Sequence, residues 1–370
     1  MGKVRVAEFF GEPLNYGGQE SFIINVYTVI DKKKFNFSFI TPFECENVKL
    51  KKMIKDNNDE LIVCNNEFDS KLRKKYIITE AKKHLTNKYD VVHIHSGSVF
   101  TLYNAAKIAK KAGIKKVIVH SHATGVSNIK YRIIKALSDL FIDKYADVYF
   151  ACSKEAGIWK FPKNIINSNR FYVVKNGIET NNFFYNEKVR KMYRNELGID
   201  NKFVIIDVAR LAKEKNLLFL IEIFKKIHDV KNNAVLLLVG DGNNKKMLED
   251  KVRELELEKS VVFMGPRNDV SSILQAADVF VSTSFYEGLG ISIIEAEASG
   301  LAVVCSNNIP DDAIITKLCV KFDLNEDASA WANKILEFEK YERVNTQKEI
   351  KKNGYDVYDS VKIIEEIYFN

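Results

Sequence analysis

A chain of 370 residues, 46% hydrophobic and 28% charged, is long enough for two cores of ordinary size and too rich in apolar residues to be disordered. Its 56 Lys and Arg against 49 Asp and Glu leave a net charge of +7, which suits anionic small molecules or an anionic membrane surface but is too dilute to argue for nucleic acid. Five scattered cysteines (Cys45, Cys64, Cys152, Cys305 and Cys319) without CxxC spacing indicate neither a zinc site nor a disulfide framework, and read as free thiols in a reducing cytoplasm.

The opening Met1-Gly2-Lys3-Val4-Arg5 leads into an apolar run soon broken by Glu8 and Glu12, too short and charged for a signal peptide. No run of 18 apolar residues follows, so a cytoplasmic protein without a membrane span is expected. Predicted strands are Val4–Phe9, Asn36–Ile40, Val91–Ile94, Lys116–His120 and Val148–Ala151. A second series comprises Phe171–Val174, Phe203–Ala209, Ala234–Val239, Val261–Met264, Val279–Ser282 and Ala302–Cys305. Most are unbroken Val/Ile/Leu runs, the mark of parallel strands buried on both faces. The segments between them, such as Leu217–His228 and Lys245–Leu257, read as helices. Such alternation predicts an α/β fold of two Rossmann-like, doubly wound parallel-sheet domains facing a cleft. The expected boundaries are 1–172, 173–354 and a terminal helical segment 355–370, with Lys175-Asn176-Gly177 as the linker turn. Ligands of such sheets lie beyond the carboxyl ends of the strands.

Four loops at strand ends carry the candidate chemistry. Gly11–Gly18 ends in paired Gly17 and Gly18 before a helix, where backbone can approach a phosphate. The spacing is not that of a GxGxxG dinucleotide fingerprint, and a plain tight turn fits equally. His93-Ile94-His95 and His120-Ser121-His122 place four of the six histidines at two strand ends. His122, which continues as Ala123-Thr124-Gly125, is the best ligand candidate among them; a structural role stays open for the rest. A metal held by these histidines is disfavoured, because no acidic residue stands nearby in sequence.

The third loop is Asp207-Val208-Ala209-Arg210-Leu211-Ala212-Lys213-Glu214-Lys215-Asn216. Arg210 and Lys215 can hold a diphosphate and take up charge on a leaving group. The fourth runs from Ser284 through Glu287-Gly288-Leu289-Gly290-Ile291 to Glu295 and opens a helix. Its amides at Gly288–Ile291 suit phosphate or sugar oxygens. Glu295, set among apolar residues, can accept both hydroxyls of a ribose, and a buried carboxylate needs such partners.

Glu-x7-Glu around Gly-Leu-Gly, preceded by Arg-x4-Lys-Asn, resembles the retaining GT-B glycosyltransferases of family 4. The resemblance extends to Gly17–Glu20, the His-Ser-His-Ala-Thr stretch, Asn176-Gly177-Ile178-Glu179 and the last helix. It is nearest the exopolysaccharide and capsular-polysaccharide branch. The resemblance implies that Gly17 and Gly18 lie near the donor diphosphate, which Arg210 and Lys215 bind. It implies that His122 contacts the transferred sugar, that Glu287 lies beside it, and that Glu295 holds the ribose. The turn Gly265-Pro266-Arg267 would border the nucleobase, and the last helix would cross back onto the first domain. Leu289 stands where many members carry Phe, which alters the pocket wall rather than the chemistry. Retention at the anomeric carbon follows from the resemblance, not from the residues.

No Asp-x-Asp stands at a strand end, so no catalytic metal or other cofactor is expected. The expected substrates are a nucleotide-sugar, UDP-linked, and a glycan or lipid-linked glycan acceptor. Residues 128–145, basic and aromatic, read either as an ordinary domain helix or as a stretch that rests on the anionic inner face of the plasma membrane. The competing readings are a UDP-sugar epimerase or hydrolase of the same plan and a non-catalytic subunit that binds nucleotide-sugar.

Overall fold

The computed structural model describes residues 2–69, 71–122 and 129–369. Contacts divide the chain into two units, Met1–Gly177 together with Val357–Asn370, and Ile178–Asp356. The divisions fall a few residues beyond those expected at 172/173 and 354/355.

The first unit is built on seven parallel strands in the order β3-β2-β1-β4-β5-β6-β7. They are β1 (Val4–Phe10), β2 (Phe35–Thr41), β3 (Glu60–Val63), β4 (Val91–Ser96), β5 (Lys116–Ser121), β6 (Val148–Ala151) and β7 (Phe171–Val173). Side chains alternate across β1. Ala7 and Phe9 enter one core with Val92, Ile94 and Leu102. Val6 and Phe10 enter another, with Phe22 and Tyr27 of helix Gly18–Val29 and with Val361 and Ile364 of helix Val357–Phe369. Glu8, between Val6 and Phe10, is carried onto this second face, and is buried there.

The expected second series loses its first member. Phe171–Val173 pairs with β6, Tyr149 opposite Phe171 and Ala151 opposite Val173, and so closes the first sheet. The second unit holds six parallel strands in the order β10-β9-β8-β11-β12-β13. These are β8 (Phe203–Val208), β9 (Ala234–Val239), β10 (Val261–Gly265), β11 (Val279–Ser282), β12 (Ala302–Ser306) and β13 (Cys319–Phe322). Strand order reverses between β1 and β4 in the first sheet, and between β8 and β11 in the second. Those are the points where open α/β sheets leave room for ligands. The two unforeseen strands, β3 and β13, are four-residue edge strands whose residues are mostly half-buried, so they give no unbroken apolar run.

Candidate active site

In the second unit, the loops after β8 and β11 are tied together by backbone and side chain. Phe285 N donates to Glu214 O at 2.8 Å, and Thr283 Oγ1 donates to Asn216 O at 3.0 Å. Asn216 turns the chain with φ +54° into helix Leu217–Val230, a left-handed conformation that Asn tolerates. This brace delivers Lys215 to Glu287. Lys215 Nζ donates to both carboxylate oxygens at 2.6 and 2.7 Å, and Ser284 Oγ donates to Glu287 Oε1 at 2.8 Å. The two charged side chains are only 16% and 14% exposed, so the pair is little screened. Beneath them lies Asp207, fully buried, its carboxyl pushed up to about 7 by burial, with Lys215 pulling it down and Glu287 pushing it up.

Arg210 joins the same loop but pairs with Glu214 instead, and its side chain is 60% exposed. An exposed pair is worth only ~0–1 kcal/mol. A phosphate can therefore recruit this guanidinium at little cost. Arg267 is held by Asp269 through two bonds of 2.9 and 2.7 Å, next to Gly265 at φ +66°.

Gly290 (φ +84°) is the left-handed residue that opens helix Ile291–Ala298; Gly288 is exposed, with open space where a Cβ would stand. Leu289 and Ile291 pack on the core. The expectation of a buried Glu295 needs correction. Glu295 is half-buried, and the sequestered carboxylate of this helix is Glu297. Glu297 accepts from Thr316 N and Thr316 Oγ1, each at 2.7 Å, and from Ile315 N at 3.2 Å, so its role is to anchor the segment before β13. Two residues along a helix turn a side chain by roughly 200°, which is why one glutamate meets the core and the other does not.

Gly240 and Gly242 belong to this site and escaped the sequence reading. Leu211 N donates to Asp241 O at 2.9 Å and Gly240 N to Gly265 O at 2.9 Å, so the loop after β9 fixes both neighbouring loops. The Gly-Asp-Gly at a strand end was the available signal.

In the first unit, Gly17 and Gly18 are exposed at the start of helix Gly18–Val29. Glu20 lies buried in the first turn of that helix. His93, His95 and His120 are fully buried and His122 is half-buried; residues 123–128, including Ala123-Thr124-Gly125, lie outside the described residues. The expected lack of an acidic partner is corrected by the fold, because Glu8 faces these rings. Tyr368 Oη donates to Glu8 Oε1 at 2.8 Å, and His95 Nε2 lies 2.6 Å from Glu8 Oε2. His95 Nδ1 meets His122 Nε2 at 2.9 Å. His93 bridges Tyr368 Oη at 2.6 Å and His120 Nδ1 at 3.1 Å. Ring nitrogens of His93, His95 and His120 come within 4.8 Å of one another, but these hydrogen bonds already use both nitrogens of His93 and His95 and Nδ1 of His120.

Donor and acceptor counting then sets the protons. An ionised Glu8 takes the proton of His95 Nε2, so His95 Nδ1 accepts from His122 Nε2 and His122 Nδ1 is left as an acceptor. A proton on Glu8 Oε2 reverses that branch and makes His122 Nδ1 a donor. Among the described residues, neither His122 Nδ1 nor His120 Nε2 has a partner.

Burial pushes Glu8 up to about 8 from 4.5, against the opposing bond from Tyr368. The folded state keeps a proton that the unfolded chain has lost, so this group's contribution to stability falls as pH rises from about 4.5 through 8. Asp207 and Glu297, each raised by burial to about 7, act in the same direction up to that pH. Burial lowers the four imidazoles, His122 to about 3, so they oppose folding only below about 6.5, where the unfolded chain would protonate them. The melting temperature is expected to decline between pH 6.5 and 8, and Glu8→Gln to flatten that decline. An identical slope in the variant contradicts the raised carboxyl.

With this geometry in place, residues 189–357 match the family model described as glycosyl transferases group 1. The match covers nearly all of the second unit. The whole chain is 27% identical over 364 residues to EpsF of Bacillus subtilis (strain 168), a protein named as a glycosyltransferase, covering 96% of this chain and 94% of that one. It is 28% identical over 279 residues to the UDP-Gal:alpha-D-GlcNAc-diphosphoundecaprenol alpha-1,3-galactosyltransferase of Escherichia coli, covering 73% and 66%. Anabaena HepE, solved with UDP and glucose, shares the fold at TM-score 0.72 and 18% identity over 97% of this chain and 98% of that one. WaaG, a glycosyltransferase involved in lipopolysaccharide biosynthesis, does so at TM-score 0.69 and 16% identity over 98% and 99%. The chain thus has the GT-B fold, two parallel-sheet α/β domains of seven and six strands.

Proposed function

We propose that this glycosyltransferase moves a hexose or N-acetylhexosamine from a UDP-sugar to a surface-polysaccharide precursor, lipid-linked, with retention at the anomeric carbon. The observation that carries the reading is the Lys215–Glu287–Ser284 contact at the switch point of the second sheet, with Arg210 free to be recruited beside it. Arg210 and Lys215 bind the diphosphate and take up the charge that appears when its bond to the anomeric carbon breaks, in place of a metal. Glu295 holds the ribose, and the loop Gly288–Ile291 offers amides to sugar or phosphate oxygens. Gly265 and Arg267 border the nucleobase. Glu287 positions the sugar through its fixed carboxylate, and is not asked to act as a nucleophile. In the first unit, Gly17, Gly18 and His122 are the candidates for phosphate and sugar contact. The acceptor oxygen bonds to the anomeric carbon on the face the diphosphate leaves, and its proton passes to the departing phosphate oxygen.

The names of the relatives favour an undecaprenol-linked acceptor: the Escherichia coli galactosyltransferase acts on a diphosphoundecaprenol substrate. Peripheral contact with an anionic leaflet fits exposed Leu140 and Phe141 at the end of helix Ile129–Phe141. Among the described residues no helix is long and apolar enough to cross a membrane. Nucleotide-sugars screened by thermal shift should single out a UDP-sugar, since a ligand that binds only the folded state raises the melting temperature. The product formed with a diphosphoundecaprenol-linked sugar, in buffer containing EDTA, should carry the donor's anomeric configuration by NMR. An inverted product, or activity abolished by EDTA, overturns the mechanism.

A further inference from the structure

The outer edge of the first sheet carries a second cluster, with none of the donor-binding residues in it. Cys64 directly follows β3, its N–H donating to Thr41 O at 3.0 Å. Glu80 and His84 lie one turn apart on helix Arg73–His84, so their side chains leave the same face. Cys64 Sγ is 3.7 Å from His84 Nε2, and Glu80 Oε2 is 3.4 Å from the same nitrogen. All three atoms fall within 4.8 Å of one another.

As a hydrogen bond, the His84–Glu80 contact is poor, well beyond the ~2.9 Å usual for N–H···O. Glu80 is 9% exposed, and its Oε2 is shielded from water without a hydrogen-bond partner among the described residues. The carboxylate is nonetheless oriented. Its Oε1 accepts from Asn66 Nδ2 at 3.3 Å, and the same amide donates to Pro42 O at 2.8 Å. One buried oxygen is thus turned toward a thiol and an imidazole. A tetrahedral zinc with bonds of ~2.3 Å to sulfur and ~2.0–2.1 Å to nitrogen and oxygen has S···N and N···O edges of roughly 3.6 and 3.4 Å. The observed separations match those edges.

We propose that Cys64, Glu80 and His84 form a zinc-type metal site with a fourth position open to water. Thiolate, imidazole and carboxylate together favour Zn²⁺ over the hard cations Mg²⁺ and Ca²⁺. Cys64 and His84 are half-buried, which leaves a path for the ion. The metal would pin the edge strand β3 to helix Arg73–His84, and sugar transfer does not run through it. The cysteine pattern concealed it, because Cys64 stands 16 residues before Glu80 and has no cysteine partner.

Cobalt substitution tests the site. The full chain, stripped with chelator, is expected to bind one equivalent of Co²⁺ with a thiolate charge-transfer band and tetrahedral d–d bands, both removed by Zn²⁺. Cys64→Ser should lose the charge-transfer band, and His84→Ala should weaken Co²⁺ binding by roughly tenfold or more. Absence of the band in the wild type overturns the proposal. So does its persistence in Cys64→Ser, which would assign the metal to another thiol, such as Cys305 and Cys319 with sulfurs 3.5 Å apart. Should Cys64→Ser not fold, alkylation of the wild type decides: Zn²⁺ should protect Cys64 but not Cys152. Equal labelling of Cys64 with and without Zn²⁺ overturns the site.

Discussion

Lys215→Ala is expected to lower kcat for sugar transfer by about 10²–10³-fold, the usual loss when a preorganised charge at the leaving group is removed. The argument rests on its position. Lys215 bonds both oxygens of Glu287 in a poorly exposed pocket, and buried Asp207 lies near enough to both to feel their charges. Without the ammonium, Glu287 keeps, among the described residues, only the Ser284 hydroxyl at 2.8 Å. The site then carries an uncompensated negative charge where the proposed donor's diphosphate would bind. UDP affinity should therefore fall together with kcat. Part of the loss is repulsion from Glu287, so Glu287→Gln placed on Lys215→Ala should recover some UDP affinity, a non-additivity expected of residues in direct contact. Wild-type kcat in Lys215→Ala would remove this residue from the mechanism.

Gly240→Ala is expected to destabilise the second unit by about 2–4 kcal/mol, the range of backbone strain plus a forced shift. Gly240 has φ +136°, and a Cβ there would stand 2.0 Å from Ala209 O, a backbone atom that cannot swing aside. Ala209 is itself held, its N–H donating to Val239 O at 3.0 Å, and it directly precedes Arg210. Relief of the clash must displace the loop that carries Arg210 and Lys215. The melting temperature should drop by roughly 5–15 °C for a unit of this size, and UDP binding should weaken with it. An unshifted melting temperature contradicts the packing described for these loops.

The parts of the fold that were legible in sequence are those fixed by local chemistry. The run around Leu236-Leu237-Leu238 reads as a strand buried on both faces, and Gly288-Leu289-Gly290 before Ile291 as a turn into a helix. Edge strands β3 and β13 were not legible, because half-exposed residues need no apolar run. Phe171–Val173 read correctly as a strand but joined the other sheet, since an apolar run does not name its neighbour. The donor-side residues stood out because glycine, charge and strand end coincide within a few positions. The histidine network did not: Glu8 and Tyr368 meet across 360 positions, and nothing local in either residue announces the other. The same limit hid Cys64 from Glu80 and His84. The choice between Glu295 and Glu297 depended on helix rotation, which one apolar segment leaves undetermined.

The central claim is that the second unit holds the nucleotide of a nucleotide-sugar, with Glu295 on the ribose. Calorimetric titration of UDP into the wild type and into Glu295→Ala tests it directly. The wild type should bind UDP at one site, and the variant should lose ~1.5–3 kcal/mol of binding, about 10- to 150-fold in affinity, for the charged hydrogen bonds removed. UDP bound equally tightly by Glu295→Ala would contradict the account.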